Sequence, residues 1–534
     1  MSDEGLQGDG RGTGRLEPRR LGAVAVLLAA SVFLSRITGY LRDVVLANRV
    51  GAGPLTDAYY AAFQIPDLLN YLLAGGALSI AFLPLYTRVR SRRGEEAAAQ
   101  LFATVLGTLG LASAVATGLL WIYAEPLVAL QFPGFADETR ALTVRLTRIV
   151  LPAQIFFVTG GIVRAVLMAE GRFWAHALAP LLYNVSIVAG GLATGHVEGF
   201  AWGVLIGAVL GPWGVPILDL ARSQRLRLRV APFDPVFRGY LWIALPLMIG
   251  LSLTTVDEWY DRWIGNTLGV GVVAILGFAR KLMQAPVAVV GQAVATAALP
   301  TLAHLWTSGR REELNRTLQR TLEGSAAVAL LAGAACFVFA RPLVEVIYRH
   351  GAFGSDDAAR VASVLAVMAW AVPGWIVQQV AVRAFYARED TWRPMILGTG
   401  VALAAIPLYL ALSGRAGAEG LAAAGAVAMT ANALATLCWA RVRHGAPELP
   451  ALARSGARAA FVAVLASVPC LYLLDALDPL GGQGTAGALL QLAVGGTVFA
   501  AIGGTGIALV GGEALRSLAA RAWARLPFTG SPRE

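Results

Sequence analysis

The chain has 534 residues, of which 57% are hydrophobic and only 14% charged, and it carries a formal charge of +10. A soluble protein holds about 25% charged residues, whereas here stretches of about 20 apolar residues, each long enough to cross a hydrocarbon core of roughly 30 Å, recur from end to end. The composition excludes a water-soluble globule and predicts an all-α, polytopic membrane protein.

Residues 1–20 form a basic tail containing Arg11, Arg15, Arg19 and Arg20. An apolar run after Arg19 and Arg20 has the outline of a secretory leader. It continues past Arg36 to Val50, however, so an uncleaved first helix is expected. Apolar spans are then expected near 21–48, 58–86, 100–123, 142–168, 175–194, 200–220 and 240–265. Seven more fall near 270–305, 322–340, 361–386, 394–413, 417–440, 459–475 and 486–511, which makes about fourteen. Alternate connections hold 28 Lys and Arg residues on the side of both termini and 6 on the other. Positive charge is retained on the cytoplasmic side, so both termini are predicted to be cytoplasmic. The same asymmetry accounts for the net charge without a nucleic-acid partner. Cys336, Cys438 and Cys470 stand alone in apolar spans, and the five histidines are dispersed, so neither a metal centre nor a disulfide framework is expected.

The chain resembles itself at a fixed offset. PLVALQF at 126–132 returns as PLVEVIY at 342–348, and the Leu-Pro of FLPLYTRVRSRRGEE returns in ALPTLAHLWTSGRREE, both 216 positions later. MAEGRFW at 168–174 has its echo in YAREDTW at 386–392. Such ordered matches mark a duplication. They predict a six-helix bundle at 21–222, a basic linker at 223–238, a second six-helix bundle at 239–443, two further helices within 444–511 and a tail at 512–534. Six crossings return each copy to its starting side, so the repeats are parallel and leave a cleft between them. Prolines at 66 and 84 and again at 286 and 300 place kinks in the second and eighth spans, where a cavity can satisfy the freed carbonyls.

Charges inside the spans are the candidate functional residues, because a charge at the centre of a span costs about 2.5–3.5 kcal/mol and is kept only with compensation. In FLSRITGYLRDVV, Arg36 and Asp43 lie seven apart on one helix face while Arg42 points about 120° away. One ion pair within the helix cannot neutralise both arginines, so at least one faces a hydrated cavity or another helix. TTVDEWYDRWIG brings Asp257, Glu258, Asp261 and Arg262 into the seventh span. Glu258 and Arg262 can pair at i,i+4, and Asp257 with Asp261 makes an acidic face with no local partner. The eighth span adds Arg280 and Lys281, the latter the chain's single lysine among 42 arginines. A compact ammonium at membrane depth suits a phosphate or carboxylate. Arg36, Arg42, Arg280 and Lys281, set against Asp43, Asp57, Asp257 and Asp261, are expected to share one cleft that suits an anionic headgroup or a salt-bridge network.

SRITGYLRDVVLANRVGAGPLTDAYYAAFQIPDLL resembles the amino-terminal signature of the MurJ/MviN lipid II flippase family. AFLPLY, PGFADETRALTVRLTRIVLP, GFARKLMQAPVAVVGQAVATAALP and FYAREDTWRP continue the resemblance in order across about 20–445. It implies two six-helix bundles around a central cavity, within a superfamily that also holds multidrug and polysaccharide exporters. It further implies a bacterial inner-membrane protein that carries an undecaprenyl-diphosphate-linked sugar-peptide, lipid II, between leaflets by alternating access. Arg36, Arg42 and Asp57 match family positions tied to the cationic cavity, and Lys281 stands where the family usually has arginine. Two departures are visible: Asn70 and Tyr71 replace a usual arginine pair, and Gly75 replaces an acid. A flippase for another polyprenyl-linked glycan, of the O-antigen or exopolysaccharide type, and a multidrug or organic-cation antiporter are the alternatives. No GxxxxGK[ST] loop is present, so membrane potential, or a monovalent ion bound near Asp257 and Asp261, is the expected driver. The reading calls for no catalytic residue, metal or cofactor and for a monomer embedded in membrane lipid.

Overall fold

The structure is a computed structural model that describes residues 18–74, 82–222, 227–249, 253–481 and 484–510. Among these the chain is helical throughout, with no strand. The first copy of the repeat begins with α1 (Pro18–Val50), α2 (Pro54–Ala62), α3 (Gln64–Ala74), α4 (Leu83–Ile122) and α5 (Ala124–Gln131). It continues with α6 (Asp137–Val150), α7 (Ala153–Ala169), α8 (Trp174–Thr194) and α9 (Val197–Ala208), which passes through a π-helical turn, Val209–Gly214, into α10 (Val215–Ala221).

The second copy opens with α11 (Pro235–Ile249) and α12 (Leu253–Gly265). In it α13 (Val272–Pro286) runs through a second π-helical turn, Val287–Gln292, into α14 (Ala293–Thr307). There follow α15 (Arg311–Val338), α16 (Ala340–Ile347), α17 (Ser355–Met368), α18 (Ala371–Ala381), α19 (Arg383–Tyr386) and α20 (Trp392–His444). The appended pair is α21 (Leu449–Gly481) and α22 (Thr485–Val510).

Nine stretches are long and apolar enough to cross a membrane among the described residues, and ten when α17 and α18–α19, bent by 46°, are joined. At 1.5 Å per residue the 53 residues of α20 would extend about 80 Å, far beyond one bilayer core. Its backbone leaves the helical region at Ala416 and at Gly417, whose φ of 56° is open to glycine, so α20 comprises two crossings. Gly94, at φ 86°, breaks α4 in the same way just after the charged turn Arg88–Arg93. With α1, α2–α3 and α11–α12 the described helices account for the expected set.

The duplication is visible in the helices themselves. The short α5 and α16 begin at residues 124 and 340, 216 apart, each separated by a single residue from the end of a long span. The breaks between α6 and α7 and between α17 and α18 likewise fall at matching places. The appended α21 and α22 pack on α15 and α16 of the second copy, around Phe339, Cys470 and Phe499. Cys336 and Cys470 are buried packing residues and Cys438 is exposed.

Candidate functional site

The two copies face each other across α1, α2 and α3 on one side and α12, α13 and α14 on the other. Between them lies a cavity of about 1,080 Å³, whose lining includes Arg36, Arg42, Asp43, Lys281 and Arg383. Four cations and one carboxylate give this space an anion-selecting character. Its lining runs along α14 to Thr296 and past α19 to Thr391. It therefore reaches the side on which α1 begins.

Arg42 folds back along α1, so that its Nε and Nη2 both donate to Oδ1 of the neighbouring Asp43, at 3.1 and 3.0 Å. Asp43 is thus held by Arg42 rather than by Arg36, with which it shares a helix face. Arg36 instead crosses to the second copy and donates to Oε1 of Gln292. One helical turn on, the Tyr40 hydroxyl donates to the Lys281 carbonyl at 3.2 Å. Lys281 lines the cavity without an ion pair among the described residues. Arg383, near the end of its span, is a cavity cation that the sequence analysis does not single out. It lies 5.6 Å from the Tyr386 ring centroid, and its Nε is buried without a partner.

Arg280 does not join this cavity. It is 4% exposed and turned into the second bundle, where Nη1 donates to Asp257 Oδ2 at 2.6 Å and Nε donates to Asp261 Oδ2 at 2.6 Å. The acidic face of α12 therefore has a partner after all, supplied by α13 rather than by its own helix. Tyr409 of α20 adds a hydroxyl bond to Asp257. A buried carboxylate pair requires such compensation, since desolvating it unpaired is costly. Sequence spacing finds partners within one helix and cannot find this one.

Glu258 and Arg262 pair as their spacing predicts, at 2.6 Å. Arg262 also donates to Asp67 Oδ2 of α3 at 2.9 Å, and so ties the copies together. Beside it Tyr71, standing where an arginine was expected, meets Trp259 edge-on at 6.0 Å. Gly75 lies outside the described residues.

Asp57 is likewise absent from the cavity. It is 2% exposed at the far end of the molecule, where Oδ2 accepts from the Gly271 N–H at 2.5 Å and Oδ1 from the Ala274 N–H at 2.7 Å. A carboxylate of the first copy therefore caps the first turn of α13 in the second. Charge and helix dipole reinforce each other there, typically by 0.3–1 kcal/mol and up to about 2 when buried. Around it the Ala352 N–H donates to the Asn48 carbonyl at 2.8 Å, and the Gly134 N–H to Asn266 Oδ1 at 2.9 Å. The side opposite the start of α1 is thus closed by contacts between the copies.

The model of one protein family, described as Lipid II flippase MurJ, matches residues 46–486. The chain belongs to the lipid II flippase MurJ family. It is a multi-pass membrane protein of a transporter family. A probable lipid II flippase MurJ of Rhizobium tropici is 30% identical over 470 residues, covering 84% of this chain and 86% of that one. The lipid II flippase MurJ of Burkholderia cenocepacia is 30% identical over 394 residues, covering 70% and 75%. Among solved structures, a lipid II flippase MurJ in an inward closed conformation superposes with a TM-score of 0.75 at 21% identity, over 90% of this chain and 99% of that one. An inward-facing multidrug transporter of the MATE family has a TM-score of 0.65 at 15% identity, over 79% and 98%. The MurJ family fold is therefore shared with exporters of other cargo, and the cavity charges must separate the two.

Proposed function

We propose that the protein is a flippase that moves lipid II, an undecaprenyl-diphosphate-linked peptidoglycan precursor, from the inner to the outer leaflet of a bacterial cell membrane. The observation that carries this reading is the cavity itself: Arg36, Arg42, Lys281 and Arg383 against Asp43 alone. A diphosphate takes charge-assisted hydrogen bonds from such a set, whereas a drug cation would be repelled by it. The 28-to-6 distribution of basic residues favours cytoplasmic termini, and with that orientation the cavity receives cargo from the inner leaflet.

Transport follows by alternating access. The guanidiniums of Arg36 and Arg42 and the ammonium of Lys281 hold the diphosphate, the sugar-peptide occupies the hydrated space, and the polyprenyl tail stays in the lipid. Binding offsets the mutual repulsion of these cations and favours approach of the two copies on the open side. The seal at Asp57 then parts and the cargo leaves on the other face. Membrane potential is the driver favoured here, because Arg280 already supplies the counter-charge to Asp257 and Asp261, the acids otherwise suited to a coupling ion. The working unit is a monomer, since both walls of the cavity come from one chain.

The test is growth rescue in bacteria depleted of their own lipid II flippase, with the wild type, Arg42→Ala and Lys281→Ala compared at equal membrane levels. Rescue by the wild type and its loss in both variants is the expected result. Rescue by both variants would remove the assigned roles. Asn70, standing in place of a cavity arginine, favours a second reading in which the cargo is another polyprenyl-linked glycan. No rescue by a well-expressed wild type would select it.

A further inference from the structure

Arg164 of α7 is a cation for which the cavity just described has no use. Its Nε is shielded from solvent without a hydrogen-bond partner, and no carboxylate faces it among the described residues. Near the start of α8, His176 is close enough for the two side chains to interact electrostatically, and its Nδ1 is also buried and unpartnered. Both residues nevertheless keep part of their surface open. An unneutralised arginine at membrane depth is disfavoured, so the pair is incomplete without an anion.

Helical register places the pair. Phe157 of α7 and Tyr183 of α8 meet edge-on at 5.3 Å. Arg164 follows Phe157 by seven residues and His176 precedes Tyr183 by seven, and the two helices are antiparallel. Seven residues are two turns, a rise of about 10 Å on the same helix face. Tyr183 is itself close enough to Arg42 for the two to interact electrostatically. The Ser31 hydroxyl of α1 donates to the Ala177 carbonyl, and Asn184 Nδ2 donates to the Ser35 carbonyl at 3.1 Å, so Arg164 and His176 stand near the level of Ser31, about 8 Å from Arg36 and about 16 Å from Arg42 along α1 toward the cytoplasmic end. The first turn of α8 ends there without a side-chain cap at Phe173, which leaves N–H groups and the positive end of the helix on the same spot.

We propose that Arg164, His176 and the first turn of α8 form a second anion-binding station, which holds a peptide carboxylate of the cargo while its diphosphate sits at Arg36, Arg42 and Lys281. The assignment rests on the lipid II reading above. The separation, about 8 Å from Arg36 and about 16 Å from Arg42, brackets the length of the disaccharide that divides diphosphate from peptide in such a molecule. An oxyanion could equally be supplied by the phosphate of an inner-leaflet lipid, and the test separates these sources.

The full chain is placed in phosphatidylcholine nanodiscs and binding is measured for three probes: lipid II, lipid II with its peptide carboxylates amidated, and undecaprenyl diphosphate. Arg164→Gln and His176→Gln are each expected to weaken lipid II binding about five- to tenfold, with the other two probes unchanged and Arg164→Lys close to wild type. Arg42→Gln should weaken all three probes. Equal weakening of intact and amidated lipid II, or none, overturns the station. Unchanged lipid II binding together with loss of phosphatidylglycerol captured from mixed nanodiscs also overturns it, in favour of membrane lipid. A wild type that binds none of the three would instead defeat the lipid II reading itself, so the two failures are distinguishable. Equal melting temperatures of variants and wild type exclude misfolding as the cause.

Discussion

Arg280 is the residue on which the interior of the second bundle depends most. Its guanidinium answers Asp257 and Asp261 together, and all three are nearly closed to solvent. Replacing it with glutamine leaves two buried acids without a counter-charge, a change that typically costs 3–5 kcal/mol. Arg280→Gln should therefore melt well below the wild type in detergent, and the triple variant with Asp257→Asn and Asp261→Asn should recover much of the loss. An unchanged melting temperature for the single variant would show that the triad is not structural. Gly425 is a second probe of the same place, because a Cβ there would meet Asp257 Oδ1 at 2.8 Å. Gly425→Ala should push the carboxylate off Arg280 and reproduce part of the defect. The charged residues were legible in the sequence, since charges in apolar spans identify themselves. Their partners were not: Arg42 was within reach of two interpretations, Arg280 joined an acid pair 19 and 23 residues away, and Asp67 passed unnoticed although it binds Arg262.

At the scale of elements, α8 and α9 pack more closely than side chains normally allow. Gly199, Gly203, Gly207 and Gly211 recur every fourth residue along α9 and its π-helical continuation, facing α8. A Cβ at Gly203 would stand 2.6 Å from the Ser186 carbonyl, and one at Gly207 2.8 Å from that of Tyr183. Lipid gives helices no hydrophobic reason to associate, so small residues that admit backbone contact supply the attraction. Gly203→Ala should destabilise the first bundle by about 1–3 kcal/mol, the usual range for overpacking, and Gly203→Leu should prevent its assembly. Gly118→Ala, where a Cβ meets nothing within 4 Å, is the control expected to be neutral. Protease resistance of the membrane-inserted protein reads out all three, and equal resistance of Gly203→Leu and Gly118→Ala would refute the packing argument. The glycine spacing was present in the sequence but was not used there, because apolar length alone suffices to place spans. What length could not show is where a span bends. The breaks at Gly94 and Gly417 fall where the expected spans already part, between 86 and 100 and between 413 and 417, whereas the two π-helical turns depend on backbone geometry that hydropathy does not encode.

For the whole molecule the decisive question is whether the two copies move apart at the sealed end. The duplication, the parallel arrangement and the cleft followed from an offset of 216 residues, and they put α1 across the cleft from α13 and the π-helical turn after it. That offset could not say which end of the cleft was shut. Asp57 shows the difficulty, for its resemblance to a cavity position suggested ligand contact, whereas its carboxylate caps α13 from across the interface. Because the cap joins one copy to the other, it belongs to one conformation only, and its strength helps set the balance between the two. Asp57→Asn keeps a hydrogen-bond acceptor but removes the charge that the dipole favours. It should shift the population outward, so that a cysteine placed at Ala52, which is buried beside Gly271 at the seal, becomes more reactive toward an impermeant thiol reagent added from outside. The converse experiment fixes the seal. The Ala352 N–H donates to the Asn48 carbonyl at 2.8 Å, a proximity compatible with a disulfide once both are cysteine. Oxidised Asn48→Cys/Ala352→Cys protein should bind cargo yet fail to flip it in vesicles, and a reductant should restore flipping, with each single variant active throughout. Undiminished flipping by the cross-linked form would mean that cargo crosses without separation of these two segments, and alternating access about this seal would have to be abandoned.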